Sequence, residues 1–309
     1  MTTTDLAAVA PVKAAARRGV GQGAVLPVLA VVTALVLIWY AGTIWLNAPG
    51  VIDRYEREGR QGWSWSELVA GTMAMERPLL PAPHQVLAEL DKTILEVSPT
   101  SRRSLVYHGW VTLSSALVGF AFGTLLGIVL AIGIVHVRTL ERSLMPWIIA
   151  SQTVPILAIA PMIIVVLGSV GFTGLLPKAI ISAYLCFFPV TIGMVKGLTS
   201  PEPIHLDLVR TYNASAAQTF RKLRWPAAMF FLFASLKVAV ALAMVGAIVG
   251  ELPTGAQAGL GARLLSGSYY GQTVQIWAAL VVAATLAGLC VGAVGLVERL
   301  TVARMGGPP

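Results

Sequence analysis

Residues 110–135 read WVTLSSALVGFAFGTLLGIVLAIGIV and contain no charged side chain. A helix of about 20 predominantly apolar residues crosses the roughly 30 Å hydrocarbon core of a bilayer. Residues 25–46, 145–168, 179–195 and 274–297 form similar windows, and residues 227–250 form another that is interrupted only by Lys237. The pattern therefore predicts an all-α integral membrane protein with six transmembrane helices.

The composition of the 309-residue chain supports this fold class. Apolar residues make up 56% of the chain, charged residues make up 12%, and the mean hydropathy is +0.78. Soluble domains carry about 25% charged residues, so this chain lacks the polar surface of a soluble enzyme, a disordered protein or a coiled coil. The two cysteines, Cys186 and Cys290, lie in apolar stretches and form no CxxC pair. We therefore expect packing roles for them, with no disulfide framework and no zinc site.

The charged residues predict how the chain is oriented. If the N-terminus is inside, the basic excess behind the net charge of +8 lies in the inner segments, and basic and acidic residues balance outside. The positive-inside rule then predicts a multi-pass protein of the inner (plasma) membrane with both termini cytoplasmic. The same rule explains the excess of basic residues, so nucleic-acid binding is not needed to account for it. The predicted regions are a tail (1–24), a first transmembrane helix (25–46), an extracytoplasmic segment (47–107), a main transmembrane domain (108–297) and a tail (298–309).

Several local patterns refine the predicted helices. Gly119, Gly123 and Gly127 are spaced four apart, which favours close packing of two helix backbones. Pro155 and Pro161 lie in the third window, where proline bends a helix or frees backbone carbonyls that can line a polar path. Residues 84–97 place their apolar side chains mainly on one face, which predicts a surface helix on the bundle or the membrane.

The chain lacks the sequence motifs of common catalytic sites. It has no phosphate-binding GxxxxGK[ST] loop, no HExxH and no GxSxG, and its four histidines are scattered. Interfacial placement accounts for two of them, His108 and His136, which flank the second window. We therefore expect no enzyme activity, no metal site and no cofactor.

The spans contain almost no carboxylate, which a proton- or sodium-coupled carrier would need. A self-contained secondary transporter, the main alternative, would also show an inverted repeat, and a membrane-embedded enzyme would need clustered nucleophiles or ligands.

Residues 200–226, on the predicted inner side, read SPEPIHLDLVRTYNASAAQTFRKLRWP. Pro203 is suited to the first turn of a helix. Asn213 tolerates the left-handed conformation that ends a helix, and Ser215 can cap a second short helix. Pro226 begins the fifth span. The segment therefore predicts two short helices set at an angle.

This segment resembles the cytoplasmic loop of permease subunits of ABC-type importers. The family pattern is Glu-Ala-Ala, three residues, Gly, nine residues, Ile, one residue, Leu-Pro. The spacing matches throughout, with Asp for Glu, larger aliphatic residues for the alanines and Asn for Gly. The matching positions, which the resemblance assigns to the ATPase-coupling loop, are Asp207, Leu208, Val209, Asn213, Leu223 and Pro226, with Arg210, Thr211, Ala214 and Ser215 similar to the nitrate/sulfonate/taurine branch.

The resemblance covers roughly residues 79–297, and residues 47–79 look like an insertion. Pro155, Ala158 and Pro161 fall on the branch's "iPxxAxxP" signature, and Glu251 followed by residues 259–261 (GLG) falls on its "aE…GLG" signature. The resemblance implies a permease homodimer that binds two ATPase subunits at the coupling loop and receives solute from an extracytoplasmic binding protein. ATP would then be used only by the partner subunit.

The candidate pathway residues are Pro155, Pro161, Lys237 and Glu251. An ammonium near mid-bilayer is costly, so Lys237 either lines the pathway for polar or anionic solutes, or extends to the inner face or pairs with a carbonyl. For Glu251, helix capping or a salt bridge at the rim is favoured over solute contact. Nitrate, sulfonate, taurine and small nitrogen heterocycles such as pyrimidine precursors all remain candidate solutes.

Overall fold

The computed structural model describes residues 25–253 and 257–305, and this part of the chain is helical without strands. The all-α prediction is therefore confirmed. Two π-helical turns, Lys92–Glu96 and Phe220–Arg224, follow α3 and α9. The helices are α1 (Val25–Arg57), α2 (Trp65–Met73), α3 (Pro83–Asp91), α4 (Leu105–His136), α5 (Arg138–Ser151), α6 (Ile156–Ser169), α7 (Leu175–Thr199), α8 (Pro203–Thr211), α9 (Ala216–Thr219), α10 (Trp225–Glu251), α11 (Leu260–Tyr269) and α12 (Thr273–Arg304).

Five of the six predicted spans correspond to single long apolar helices or helical runs. These are α1, α4, α7, α10 with the turns before it, and α12. Each extends beyond its apolar window, because polar residues continue a helix outside the hydrocarbon core. In particular, α1 continues past residue 46, where the predicted extracytoplasmic segment began, to Arg57.

The third window, residues 145–168, is not one continuous helix. It consists of α5 and α6, which are bent by 99° at the residues between Ser151 and Ile156. Pro155 lies immediately before α6, whereas Pro161 lies inside it. Proline lacks a backbone donor and disfavours the helical conformation in the residue before it, which explains the break. The Tyr184 hydroxyl of α7 donates to the Ser151 carbonyl, so this carbonyl at the break has a partner within the protein.

The described residues 25–75 form a compact unit of their own, made of α1 and α2. Ser64 caps α2, because its hydroxyl accepts from the Glu67 amide (3.3 Å) while the Glu67 carboxylate accepts from the Ser64 amide (2.9 Å). Val51 and Tyr55 of α1 pack with Leu68 of α2 in a small apolar core. These contacts fold α2 against the end of α1.

The second unit, from Glu76 onward, has its core between α4, α7 and α10. A Cβ on Gly123 would lie 2.6 Å from the Cβ of Cys186, and one on Gly127 would lie 2.8 Å from the Cβ of Val190. The small-residue spacing of α4 thus serves close packing against α7, as predicted. Cys186 is buried in this contact and has a packing role.

The predicted surface helix at residues 84–97 is present as α3 and its π-helical turn. It packs against α12, with Val86 buried. The Thr273 hydroxyl at the start of α12 also donates to the Pro78 carbonyl, just before α3 (2.5 Å). Of the two alternatives, packing on the helix bundle is the one the structure shows.

Candidate functional site

A buried carboxylate lies where α10 ends. The side chain of Glu251 is 0% exposed. It accepts hydrogen bonds from the Thr112 hydroxyl of α4 (2.8 Å), from the Lys178 ammonium of α7 (3.3 Å) and from the Gly261 amide of α11 (2.9 Å). A buried charge is costly unless it is paired and hydrogen-bonded. Here one carboxylate joins four helices, and its donors compensate for its burial.

The Glu251–Lys178 salt bridge is buried, whereas the predicted salt bridge lay at the rim. Lys178 is 11% exposed and also donates to the Ala258 carbonyl (3.0 Å). Lys178 was not predicted as a site residue, because its partner lies on another helix, far along the chain. The nearest signal in the sequence was the position of both residues at helix ends assigned to the same side of the membrane.

The glycine-rich residues 259–261 complete this arrangement. The Gly259 amide donates to His108 Nδ1 (2.9 Å), and the Leu260 amide donates to the Thr112 hydroxyl (2.8 Å). His108 Nε2 lies 2.9 Å from the Arg102 carbonyl, so the tautomer protonated at Nε2 satisfies both contacts. His108 is therefore a buried link between segments, a role that the sequence did not predict.

Two of these residues must be glycine for geometric reasons. Gly259 has φ +123°, and a Cβ there would overlap the Glu251 carboxylate. A Cβ on Gly261 would lie 2.8 Å from the Cβ of Glu251. The side chains of Glu251, Lys178, Thr112 and His108, together with the backbone of residues 258–261, are called the Glu251 cluster below.

A cavity of about 670 Å³ lies beside the Glu251 cluster. Tyr107 and Trp110 of α4 and Phe172, between α6 and α7, contribute aromatic rings to its wall, and Ser114 and Lys178 contribute polar groups. Among the described residues that line it, Lys178 is the one charged side chain. In the described part of the chain, no three His, Cys, Asp or Glu side chains lie together in a way that could hold a metal ion.

The coupling-loop candidates lie in and after α8. Asn213 has φ +52° and is the one non-glycine residue with positive φ in the described ranges. The Asn213 amide donates to the Arg210 carbonyl (2.8 Å), and the Ala214 amide donates to the Val209 carbonyl (3.1 Å). Ser215 then caps α9, with its hydroxyl accepting from the Gln218 amide (3.2 Å). The predicted short helix before Asn213 and the left-handed turn at Asn213 are therefore present. The second short helix is not separate, contrary to the prediction, because α9 continues through the π-helical turn into α10.

The surface of α8 differs from that of every other described helix except the four-residue α9. Helix α8 contains no buried residue, and Ile204, Leu208 and Tyr212 are largely exposed. Asp207 and Arg210 form an exposed ion pair with a 3.0 Å separation. The remaining candidates lie around this helix. Ser215 is exposed, and the half-buried ones are Val209, Ala214, Leu223 and Pro226.

The four pathway candidates are not brought together in one site. Pro155 lies at the bend before α6, and Pro161 lies exposed within α6. Lys237 of α10 forms an ion pair with Glu298 of α12, a partner that neither sequence-based alternative included. Glu298 was assigned to the C-terminal tail, but α12 continues through it to Arg304. Glu251 alone lies near the cavity, through its contact with Lys178.

Comparisons with known proteins agree on one family. Residues 123–302 match the model of "binding-protein-dependent transport system inner membrane component". A probable ABC transporter permease of Haemophilus influenzae is 30% identical over 72% of this chain and 86% of that protein. A riboflavin transport system permease of Chloroflexus aurantiacus is 32% identical over 72% of this chain and 80% of that protein. A formylaminopyrimidine transport permease of Halalkalibacterium halodurans is 31% identical over 62% of this chain and 72% of that protein. Permeases named for aliphatic sulfonates and for nitrate, from the predicted branch, match at 24% and 25% identity.

Proposed function

Because this chain belongs to the family of binding-protein-dependent transport system inner membrane components, we propose that α8 couples solute passage to ATP hydrolysis by a separate ATPase subunit. The chain is a multi-pass inner-membrane permease subunit of an ABC importer, and as a translocation component it is not itself an enzyme. Membership of this family also implies an ATPase and a substrate-binding protein as partners. A homodimer of the permease is part of the proposal.

The exposed apolar side chains of α8 carry the proposal. Ile204 and Leu208 lie at successive turns of a helix that has no buried residue of its own, and Tyr212 follows directly at its end. Apolar side chains beside the charged Asp207 and Arg210 form the kind of surface that a protein partner covers. The capped turn at Asn213 and Ser215 connects this helix stiffly to α10, so a displacement of α8 would be passed to the membrane-spanning part.

The proposed orientation places α8 and both termini in the cytoplasm and the Glu251 cluster at the extracytoplasmic end. The distribution of basic residues supports it. Cysteine labelling tests it: in intact cells Ser200→Cys and Gly307→Cys should resist a membrane-impermeant thiol reagent, whereas Gln61→Cys should react. Labelling of Ser200→Cys from outside would overturn the orientation.

The coupling role is tested by two exposed tyrosines. Tyr212, directly after α8, is 79% exposed, and Tyr270, directly after α11, is 68% exposed. Tyr212→Ala should weaken copurification of the ATPase subunit and reduce ATP-driven uptake at least tenfold. Tyr270→Ala, the matched control, should leave ATPase binding unchanged. Parental ATPase binding by Tyr212→Ala would contradict the proposed coupling surface.

The proposed solute is a small polar or anionic nutrient. The relatives' names support two groups of candidate solutes. One group is nitrate and sulfonates, and the other is formylaminopyrimidine and riboflavin. Transport assays with radiolabelled members of each group, in vesicles that contain the permease, the ATPase and the binding protein, distinguish them. Uptake should require ATP, and ATP-independent uptake by the permease alone would contradict the importer assignment.

A further inference from the structure

We propose that the cavity beside the Glu251 cluster binds the transported solute, and that this solute is an uncharged planar heterocycle. The inference rests on the proposed transport function and names its solute class and one binding site. It is drawn from the cavity's aromatic wall, its balanced charge and its size.

The aromatic wall begins on α4. Tyr107, Trp110 and Ser114 recur at intervals of three and four residues, so they share one face of the helix, which lines the cavity. Phe172, in the connection between α6 and α7, contributes a further ring. Trp110 is 67% exposed and Phe172 is 52% exposed. Flat aromatic surfaces favour offset or edge-on contact with another ring, which a planar heterocycle supplies.

The charge of the cavity disfavours small anions. Lys178 is its one charged lining residue in the described ranges, and its ammonium is already paired with Glu251 at 3.3 Å. The pair has no net charge, so it offers little to offset the cost of removing nitrate or a sulfonate from water. Lys237, the other candidate for an electropositive lining, is paired with Glu298.

Neutral polar groups fit the same wall better. An ammonium has three N–H donors, and the contacts of Lys178 with Glu251 and the Ala258 carbonyl use two of them. The third suits a ring nitrogen or a carbonyl oxygen. The Ser114 hydroxyl donates to the Val111 carbonyl (2.9 Å), and its oxygen can still accept a hydrogen bond from a ring N–H or an amino group.

The size of the cavity agrees with a heterocyclic solute. Binding pockets for small organic molecules have volumes of about 300–1,000 Å³, and the cavity has about 670 Å³. A nitrate ion would leave most of that space empty. Two relatives are named for the transport of heterocycles, formylaminopyrimidine and riboflavin.

Riboflavin provides a direct probe, because its fluorescence is quenched when it stacks on an aromatic side chain. The full chain is reconstituted in nanodiscs without the binding protein or the ATPase, and riboflavin is titrated. We expect saturable quenching that formylaminopyrimidine reverses and that equal concentrations of nitrate or taurine do not. Reversal by nitrate or taurine, or no saturable quenching at all, would overturn the proposal.

Two variants of the aromatic wall test whether riboflavin binds in the cavity. Trp110→Leu and, independently, Phe172→Leu should each raise the dissociation constant for riboflavin at least tenfold. Trp147→Leu is the matched control, since Trp147 of α5 is 76% exposed and does not line the cavity. Thermal melting confirms that each variant is folded. If both folded cavity variants bind like the parent, the cavity is not the site.

This assay is independent of the coupling proposal. Because it needs no ATPase, a failure of Tyr212→Ala to weaken ATPase binding contradicts the role of α8 and leaves the binding result intact. Conversely, ATP-driven uptake of an anion by a permease that binds no heterocycle supports the transport function and contradicts the cavity inference.

Discussion

The Glu251 cluster and the coupling loop lie in the same helical unit. They differ in whether their polar groups are hydrogen-bonded, and their apolar groups buried, within the chain. In the cluster, a fully buried carboxylate, an ammonium, a hydroxyl and an imidazole all have partners within the chain. In α8, no residue is buried, and large apolar side chains face outward. A buried polar network that is fully satisfied rigidifies its surroundings. Each member of the cluster is therefore bonded within the single chain, with one N–H of Lys178 left for the cavity, whereas α8 exposes an apolar surface that a partner could cover.

This difference predicts that variants in the two regions will affect different properties of the protein. Changes in the cluster should lower the free energy of unfolding of the isolated chain. Changes in α8 and its turn should leave that free energy nearly unchanged and act on assembly and coupling.

The largest effect is expected for Glu251→Ala. It leaves the Lys178 ammonium buried without its carboxylate, and removing one member of a buried ion pair costs about 3–5 kcal/mol. The free energy of unfolding of the purified chain should fall by that amount. Glu251→Ala combined with Lys178→Met should recover part of the loss. A parental melting temperature for Glu251→Ala would show that the cluster is not a source of rigidity.

The next effect is expected for Gly259→Ala. The added Cβ would overlap the Glu251 carboxylate, and φ +123° is strained for any side chain, so the cost should be at least about 1–3 kcal/mol. Gly288→Ala is the control, because no atom outside its own stretch of helix lies within 4 Å of the added Cβ and alanine favours a helix. Thermal melting of both variants checks the difference. Equal destabilisation by the two would contradict the close approach at Gly259.

A smaller effect on stability is expected for Asn213→Val. The left-handed conformation costs about 1–2 kcal/mol for an ordinary residue and more for a β-branched one. The variant should insert and dimerise normally, yet lose ATPase binding or hydrolyse ATP without uptake. Asn213→Gly should keep activity. The ratio of ATP hydrolysed to solute taken up measures coupling, and a parental ratio in Asn213→Val would exclude this turn as a coupling element.

The smallest effect on stability is expected for Lys237→Met. Its ion pair with Glu298 is partly exposed, with side-chain exposures of 38% and 22%. Methionine also removes a charge that is costly within a membrane span, which offsets part of the loss of the pair. ATP-driven uptake should slow while ATPase binding persists. The double variant Lys237→Met/Glu298→Gln separates the roles: restored uptake indicates a structural pair, and uptake that stays slow indicates contact with the pathway.

Much of the fold was predictable because its causes are local. Apolar windows specify helices that cross a bilayer, and Asn213 and Ser215 act on their own backbone, so the turn after α8 could be read directly. Pro155 indicated a bend in the third span, but the angle of 99° depends on how α6 packs on α7 and α10.

The candidate site was less predictable because its contacts join distant parts of the chain. Glu251 was recognised, but its partners Lys178 and Thr112 come from α7 and α4. His108 of α4 joins the same cluster through the Gly259 amide. None of these three residues of α4 and α7 forms part of a recognisable motif in its own segment. Their proximity follows from the close packing of α4 and α10 on α7, which a single sequence does not specify by position.

The close packing of α4 on α7 also limits how the protein can move. Gly123 and Gly127 fit against the backbone and side chains of α7 with no room for a methyl group, so sliding one helix along the other would force atoms to overlap. Shear between these helices is therefore disfavoured, and we expect the pair to rotate as one body. At the break between α5 and α6 the chain direction changes by 99° within a few residues. Alternating access should accordingly use a hinge at residues 152–155 and leave the α4–α7 contact unchanged.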